Sequence, residues 1–250
     1  WDELRRRHPR VWIDNCSSGG RRIDLETLSR SLPLWPSDFQ DVVGLRHGMG
    51  LHIGDQCISA GLARWVPLFG GGVWNFAPYA FRSKMSAGFC FGFHVNFESY
   101  APEESAATTD FKQVLEKAAT LMDDHFPVEL ARQAVAEWRS LRQFLTGDFY
   151  PLLPLTVSPH DWCAYQYHRA DLDGGFALFF RRHGSPFPSM EAQLKCIDPA
   201  ARYEVSVSAD YPESPRSVVP GNDLMRLTVS IPGRPGSALL RYTKLKRGRA

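Results

Sequence analysis

The sequence predicts an α/β protein, with about four β/α units of a parallel sheet over residues 1–155 and an antiparallel β-sandwich over 156–250. Three observations carry this. Strand, loop, helix and strand follow one another at β/α spacing between residues 11 and 38. The strongest helical periodicity of the chain lies just ahead of residue 145. After about residue 155 the texture changes to short alternating or aromatic runs punctuated by Gly, Pro, Asp and Asn. With 250 residues, 44% of them apolar, there is material for a sizeable core in one large domain or two ordinary ones.

The chain opens with "WDELRRRHPRVW", which reads as the tail of a helix feeding a strand, so we expect more protein upstream of Trp1. Residues 11–15, "VWIDN", form a short β-prone run that breaks at small residues, as a buried parallel strand does on reaching a functional loop. "DLETLSRSL" then repeats Leu25, Leu28 and Leu32 at helical spacing, with Asp24 at the N-cap position. "PLWPSD" is the next short strand, bounded by Pro33 and Pro36. "DVVGLRHGMGLHIGDQ" is expected to be helical in its first half only, because Gly44, Gly48, Gly50 and Gly54 interrupt it. "LARWVPLFGGGVW" and "SAGFCFGFHVNF" supply two more inner strands, and "DFKQVLEKAATLMDDHF" and "PVELARQAVAEWRSLRQFL" two helical pieces, the second opened by Pro127. The sandwich strands are expected in "WCAYQYHR", "GFALFFRR", "ARYEVSVSAD", "LMRLTVSIP" and "SALLRYTKL".

Composition excludes several functions. A net charge of +2, from 29 basic and 27 acidic side chains, makes no field that implies nucleic acid or an anionic membrane as partner. The basic ends "RRRHPR" and "KLKRGR" read as solvated termini. Cys16, Cys57, Cys90, Cys163 and Cys196 are far apart, with no Cys-x-x-Cys pair and no histidine at ligand spacing, so no metal site is expected. Their odd number fits reduced, mostly buried thiols of a cytosolic protein. No uninterrupted apolar run is long enough to span a membrane, and no secretory leader is visible.

Catalytic residues of parallel β/α proteins stand at the carboxyl ends of the strands. Asn15, Cys16 and Asp38 all occupy that position, one β/α step apart, and should face one pocket. The glycines of "CSSGG" let backbone N–H groups approach a ligand, a surface suited to hydroxyl-rich molecules such as sugars. Bland readings stand beside these. The loop could be an ordinary strand-to-helix turn, and Asp38 a cap of the next helix. A phosphate cradle lacks its Gly-Lys-Ser/Thr ending, and a thiolate nucleophile at Cys16 lacks a placed base, His8 and His52 being the nearest histidines. Trp35, Trp65 and Trp74 could stack on a sugar or fill the core. Arg21 and Arg22 could orient a carboxylate or lie in solvent, Asp41 could start a helix, and Asp161 and Trp162 read as packing residues.

"DNCSSGGRRIDLETL" followed by "LWPSDFQD" resembles the paired Cys-Ser-Ser-Gly-Gly-Gly-Arg-x-Asp-Leu and Trp-x-Ser-Asp-x-x-Asp motifs of glycoside hydrolase family 36, the bacterial-type α-galactosidases. "GLARWVPLFGGG", "FRSKM", "GDFYPLLP", "DWCAYQYHRADLDGGFALFFRR" and "LKCIDPAARYEV" are similar to later parts of the same family. The resemblance implies the C-terminal half of a (β/α)8 TIM barrel, about strands five to eight, over 1–155, then the sandwich domain over 156–250. It implies a retaining hydrolase of terminal α-linked galactose with an oligosaccharide substrate, no cofactor and a possible homo-oligomer. Asp38 takes the place of the general acid/base, and Cys16, Ser17, Ser18 and Gly19 that of the galactose subsite, to which the residue reading adds Trp35 as a substrate contact.

The sequence departs from the family pattern twice. Arg21 replaces the third glycine and Phe39 an asparagine after Asp38, which bears on the aglycone and the exact sugar. The family nucleophile, an aspartate of a Lys-x-Asp motif on an earlier strand, has no counterpart here, since Asp2 precedes a helix; it is expected upstream. Three rivals remain open: hydrolysis of another α-linked sugar such as N-acetylgalactosamine, a non-catalytic carbohydrate-binding protein on the same fold, and an open-sheet protein whose loop only turns the chain.

Overall fold

The computed structural model describes residues 1–16, 21–37, 49–66, 68–73, 75–91 and 127–246. The first half is organised by four parallel segments. Residues 13–15 lie beside 32–35 through Leu32 N–H to Ile13 O at 2.8 Å, Asn15 N–H to Pro33 O at 3.0 Å and Trp35 N–H to Asn15 O at 2.7 Å. Leu34 in turn receives Gly70 N–H on its carbonyl at 2.9 Å and donates to Leu68 O at 3.1 Å. Strand β1 (Gly70–Val73) then pairs in parallel with β2 (Gly88–Phe91), Gly70 standing opposite Gly88 and Val73 opposite Phe91. The spatial order of the four segments thus follows the chain, the commoner arrangement of successive β/α units.

Helix α1 (Asp2–Arg7) precedes the first segment, and α2 (Leu25–Leu28), α3 (Met49–Leu62) and α4 (Pro78–Ser83) lie in the crossovers between successive segments. Asp24 is the N-cap of α2, as its sequence position predicts, and accepts from Thr27 N–H at 2.7 Å. Leu34, Leu62, Val66 and Phe69 are buried between the ladder and α2–α3 with Ile23, Leu28 and Ile58. The expectation for residues 41–56 is corrected here. Residues 41–48 lie outside the described residues, and α3 runs through Gly50, Gly54 and Gly61. Each glycine costs about 1 kcal/mol against alanine. The burial of Ile53, Ala60 and Leu62, with His52, Asp55, Gln56 and Ser59 beside them, offsets that cost.

Helix α5 (Val128–Leu141) buries Ala131, Ala134, Glu137 and Leu141 at helical spacing, with Pro127 as its N-cap residue. The other helical piece, "DFKQVLEKAATLMDDHF", lies outside the described residues. Beyond α5, strands β3 (Asp148–Pro151), β4 (Trp162–Arg169), β5 (Gly174–Arg181), β7 (Arg202–Ser208), β8 (Ser217–Pro220) and β10 (Gly236–Lys244) form one antiparallel sheet ordered β3-β4-β5-β10-β7-β8. A second sheet pairs β6 (Ser189–Ala192) with β9 (Leu227–Ser230). The five runs read as strands in the sequence are strands, and β5 is buried along its whole length.

Alternation decides which core each side chain joins. Cys163, Tyr165, Tyr167, Phe176, Leu178, Phe180 and Leu239 face α4 and α5. Trp162, Ala164, Ala177, Phe179, Ala238, Leu240 and Tyr242 face the other way, into a core completed by Val229 and Ile231 at the small sheet. Each buried Leu, Val, Ile or Phe among them stabilises by roughly 1.5–3 kcal/mol. Trp162 is core, as expected, and its indole N–H reaches Phe187 O at 3.2 Å.

The α/β part and the antiparallel sheet are joined by buried cations. Arg82, fully buried on α4, grips the Glu137 carboxylate with Nε at 2.9 Å and Nη2 at 2.7 Å. It also donates to the carbonyls of Ser208, Ala209 and Asp210 and to Ser237 Oγ. Arg182, equally buried after β5, donates to Gln56 Oε1 on α3 at 3.0 Å and to Thr156 O and Ser158 O, both at 2.8 Å.

Candidate functional site

Parallel pairing brings the carboxyl ends of the segments 13–15, 32–35, β1 and β2 to one edge. At the end of the first segment Asn15 is buried, and its Nδ2 donates to Arg22 O at 3.1 Å. That bond ties the two ends of the "CSSGGR" loop together across seven residues. Cys16 is half-buried with a free thiol, Arg21 and Arg22 are exposed, and Ser17, Ser18 and Gly19 lie outside the described residues. The Arg22 guanidinium stands 5.6 Å from the centre of the Trp1 ring.

The second segment ends in Trp35, half-buried, and Pro36, buried; Asp38, Phe39 and Asp41 lie outside the described residues. Two of the predicted pocket residues, Cys16 and Trp35, are therefore placed at neighbouring strand ends. The link between them is direct, because Trp35 N–H donates to the carbonyl of the residue before Cys16.

The third segment ends among buried contacts that the sequence reading did not assign. Lys84 is buried and donates from Nζ to Gly72 O at 2.6 Å, near the end of β1. Its charge is met by Asp55 of α3 at 3.6 Å, with His52 Nδ1 4.0 Å from the same carboxylate. Two residues past β1, Asn75 Oδ1 accepts from Ala77 N–H at 2.8 Å, and Phe76 O accepts from the hydroxyl of Tyr211. Trp74 itself lies outside the described residues. Trp65 is half-exposed in the turn after α3, ahead of the third segment and so at the opposite edge.

Charged residues inside the apolar stretch "FAPYAFRSKM" were a readable sign that Arg82 and Lys84 are buried with partners. Nothing local announced Tyr211, whose bond to Phe76 spans 135 positions.

Chemically, the described part of this edge offers a half-buried indole and a free thiol at neighbouring strand ends held by buried bonds. Such a surface suits a polyhydroxyl ligand whose hydroxyls need donors and acceptors at fixed positions.

No protein-family model matches the chain, and no curated protein does. Solved structures do match. The α-galactosidase from Lactobacillus brevis is 17% identical, with a TM-score of 0.63 over 100% of this chain and 31% of that one. The GH36 α-galactosidase AgaA of Geobacillus stearothermophilus, in a substituted form complexed with raffinose, gives 18% identity and a TM-score of 0.62. AgaB of the same organism gives 21% and 0.60, and both Geobacillus matches cover 98% of this chain and 30% of theirs. The chain therefore has a mixed α/β fold shared with part of GH36 α-galactosidases, spanning under a third of their length.

Proposed function

We propose that this chain is the C-terminal part of a retaining glycoside hydrolase that releases terminal α-linked galactose, with Asp38 as general acid/base. The observation that carries the reading is the 2.7 Å bond from Trp35 N–H to Asn15 O. It sets Asn15 and Trp35 side by side at the ends of neighbouring parallel strands, and on this reading the "CSSGG" and "WPSD" loops that follow them share one sugar. The likeness to GH36 α-galactosidases, one complexed with raffinose, supports the same reading.

On this reading the four parallel segments are strands five to eight of a (β/α)8 barrel over 1–155, followed by the sandwich domain over 156–250. Strand alternation supports an edge open to further pairing. Ile13 and Asn15 bond toward 32–35, so the backbone of Asp14 points the other way, with no partner among the described residues. Cys16, Ser17, Ser18, Gly19 and Trp35 line the galactose subsite. Asp38 donates a proton to the glycosidic oxygen as a carboxylate from an earlier barrel strand attacks the anomeric carbon. As carboxylate, Asp38 then takes a proton from the water that cleaves the covalent intermediate. These steps call on two carboxyl groups about 5 Å apart and on no metal. The 250-residue chain supplies one of the two, so alone it is inactive toward aryl α-galactosides.

The test uses the longer polypeptide that carries this chain, with Asp38→Gly, on an activated aryl α-galactoside with and without azide. Restored turnover with formation of a galactosyl azide is the expected result, the small anion replacing the activated water. An Asp38→Gly enzyme that keeps full activity on substrates with poor leaving groups overturns the assignment. Parallel assay of an α-N-acetylgalactosaminide separates the other sugar.

A further inference from the structure

We propose that Tyr211, on the loop between β7 and β8, is a positioning residue for the sugar pocket, acting with Lys84 on the segment that leaves the third parallel strand. The inference rests on the function proposed above and adds to it a residue from the antiparallel half. Two buried side chains hold this segment by backbone carbonyls. Lys84 Nζ donates to Gly72 O at 2.6 Å, and the Tyr211 hydroxyl donates to Phe76 O. The carbonyls are four residues apart, and across the end of that span Asn75 Oδ1 accepts from Ala77 N–H at 2.8 Å.

Both holders are themselves fixed. Lys84 is 3.6 Å from Asp55, which is completely buried on α3. Tyr211 is buried edge-on to Phe81, with ring centres 6.3 Å apart, and the Arg82 guanidinium stands 5.8 Å from its ring centre. Arg82 grips the carbonyls of Ser208, Ala209 and Asp210, the three residues ahead of Tyr211. Helix α4, which follows the clamped segment directly, is thus locked to the loop that carries Tyr211. Both bonds are buried, so removing either donor costs the segment one buried hydrogen bond. The segment stands at the end of the third parallel strand, on the edge that carries the proposed pocket, and small displacements there change how a bound sugar is held.

Tyr211→Phe removes one oxygen and keeps the ring. Amide hydrogen exchange on this chain is expected to quicken in peptides covering 72–77 and to stay unchanged in β4 and β5. In the longer polypeptide, the variant should raise KM for an aryl α-galactoside by up to about tenfold, the worth of one net hydrogen bond, with kcat within about twofold. Lys84→Met should shift KM the same way, and the double variant should shift it by less than the product of the two, because both act on one segment.

Unchanged exchange over 72–77 overturns the clamp. A lowered kcat with unchanged KM, in proportion to a smaller active fraction, overturns the positioning role and leaves a stability role. If the unsubstituted polypeptide shows no hydrolysis, the functional reading falls and the pocket role with it, whereas the exchange result still decides the clamp.

Discussion

His168 lies inside the six-stranded sheet, its ring stacked on Tyr242 with centres 6.0 Å apart and Nδ1 3.0 Å from the Tyr242 hydroxyl. Burial lowers its pKa below the ordinary 6.5, and the carboxylates of Asp148 and Asp173 oppose that shift only in part. Below pH 6.5 the unfolded chain takes up a proton that the folded chain refuses, so stability is full above that pH and declines as pH falls through it. His168→Gln keeps a polar partner for Tyr242 and removes the proton. Urea denaturation at a series of pH values between about 5 and 7.5 should show a shallower acid-side decline in the variant. Equal slopes in both proteins would mean that other groups set the decline. At this scale the sequence was readable where a side chain acts on its neighbours, as Asp24 does on Thr27, and silent where the partner is remote, as for Tyr211 and Phe76.

Among the elements, α3 shows why local rules mislead. Four glycines within residues 41–56 argue against a continuous helix, yet α3 forms, because its inner face is covered and its glycines need no special conformation. A Cβ built on Gly50 or on Gly61 meets nothing within 4 Å. Gly50→Ala should therefore stabilise the chain by about 0.4–1 kcal/mol, mostly by restricting the unfolded state, and Gly61→Ala by a similar amount. Gly175 in β5 is the opposite case, since its Cβ would come within 2.1 Å of Tyr167 O and 2.5 Å of the Tyr242 hydroxyl. Comparing the urea midpoints of Gly50→Ala and Gly175→Ala decides the matter: a rise for the first and a marked fall for the second. A fall for Gly50→Ala would show that α3 needs its glycine for something other than space. Strands β4, β5, β7, β9 and β10 were legible because alternation is a local signal. The four-residue pieces β3, β6 and β8 were not, since they lack the longer apolar run around them that marks β9.

For the molecule as a whole, the join between the parallel and antiparallel parts decides whether they behave as one unit. No sequence pattern links Arg82 to Glu137, 55 residues away, because ion pairs at this range are written in tertiary packing alone. In the structure the pair is almost wholly desolvated, and Arg241 adds a second guanidinium 3.9 Å from the same carboxylate. Burying these charges is costly unless each is met, so the pair matters most when one member is removed. Arg82→Met leaves the Glu137 carboxylate facing Arg241 alone and strips the carbonyls of Ser208, Ala209 and Asp210 of their donor. A loss of about 3–5 kcal/mol is expected, and a comparable one for Glu137→Leu, which leaves two buried guanidiniums without their carboxylate. The double variant should be less destabilised than the sum of the singles by at least about 0.5 kcal/mol, since each single change strands a charge that the double change removes. Urea unfolding followed separately by far-UV circular dichroism and tryptophan fluorescence measures all four corners of this cycle. Additive losses would show that Arg82 and Glu137 stabilise their own halves independently. A positive coupling would place the join itself among the interactions that make the parallel ladder and the antiparallel sheet unfold together.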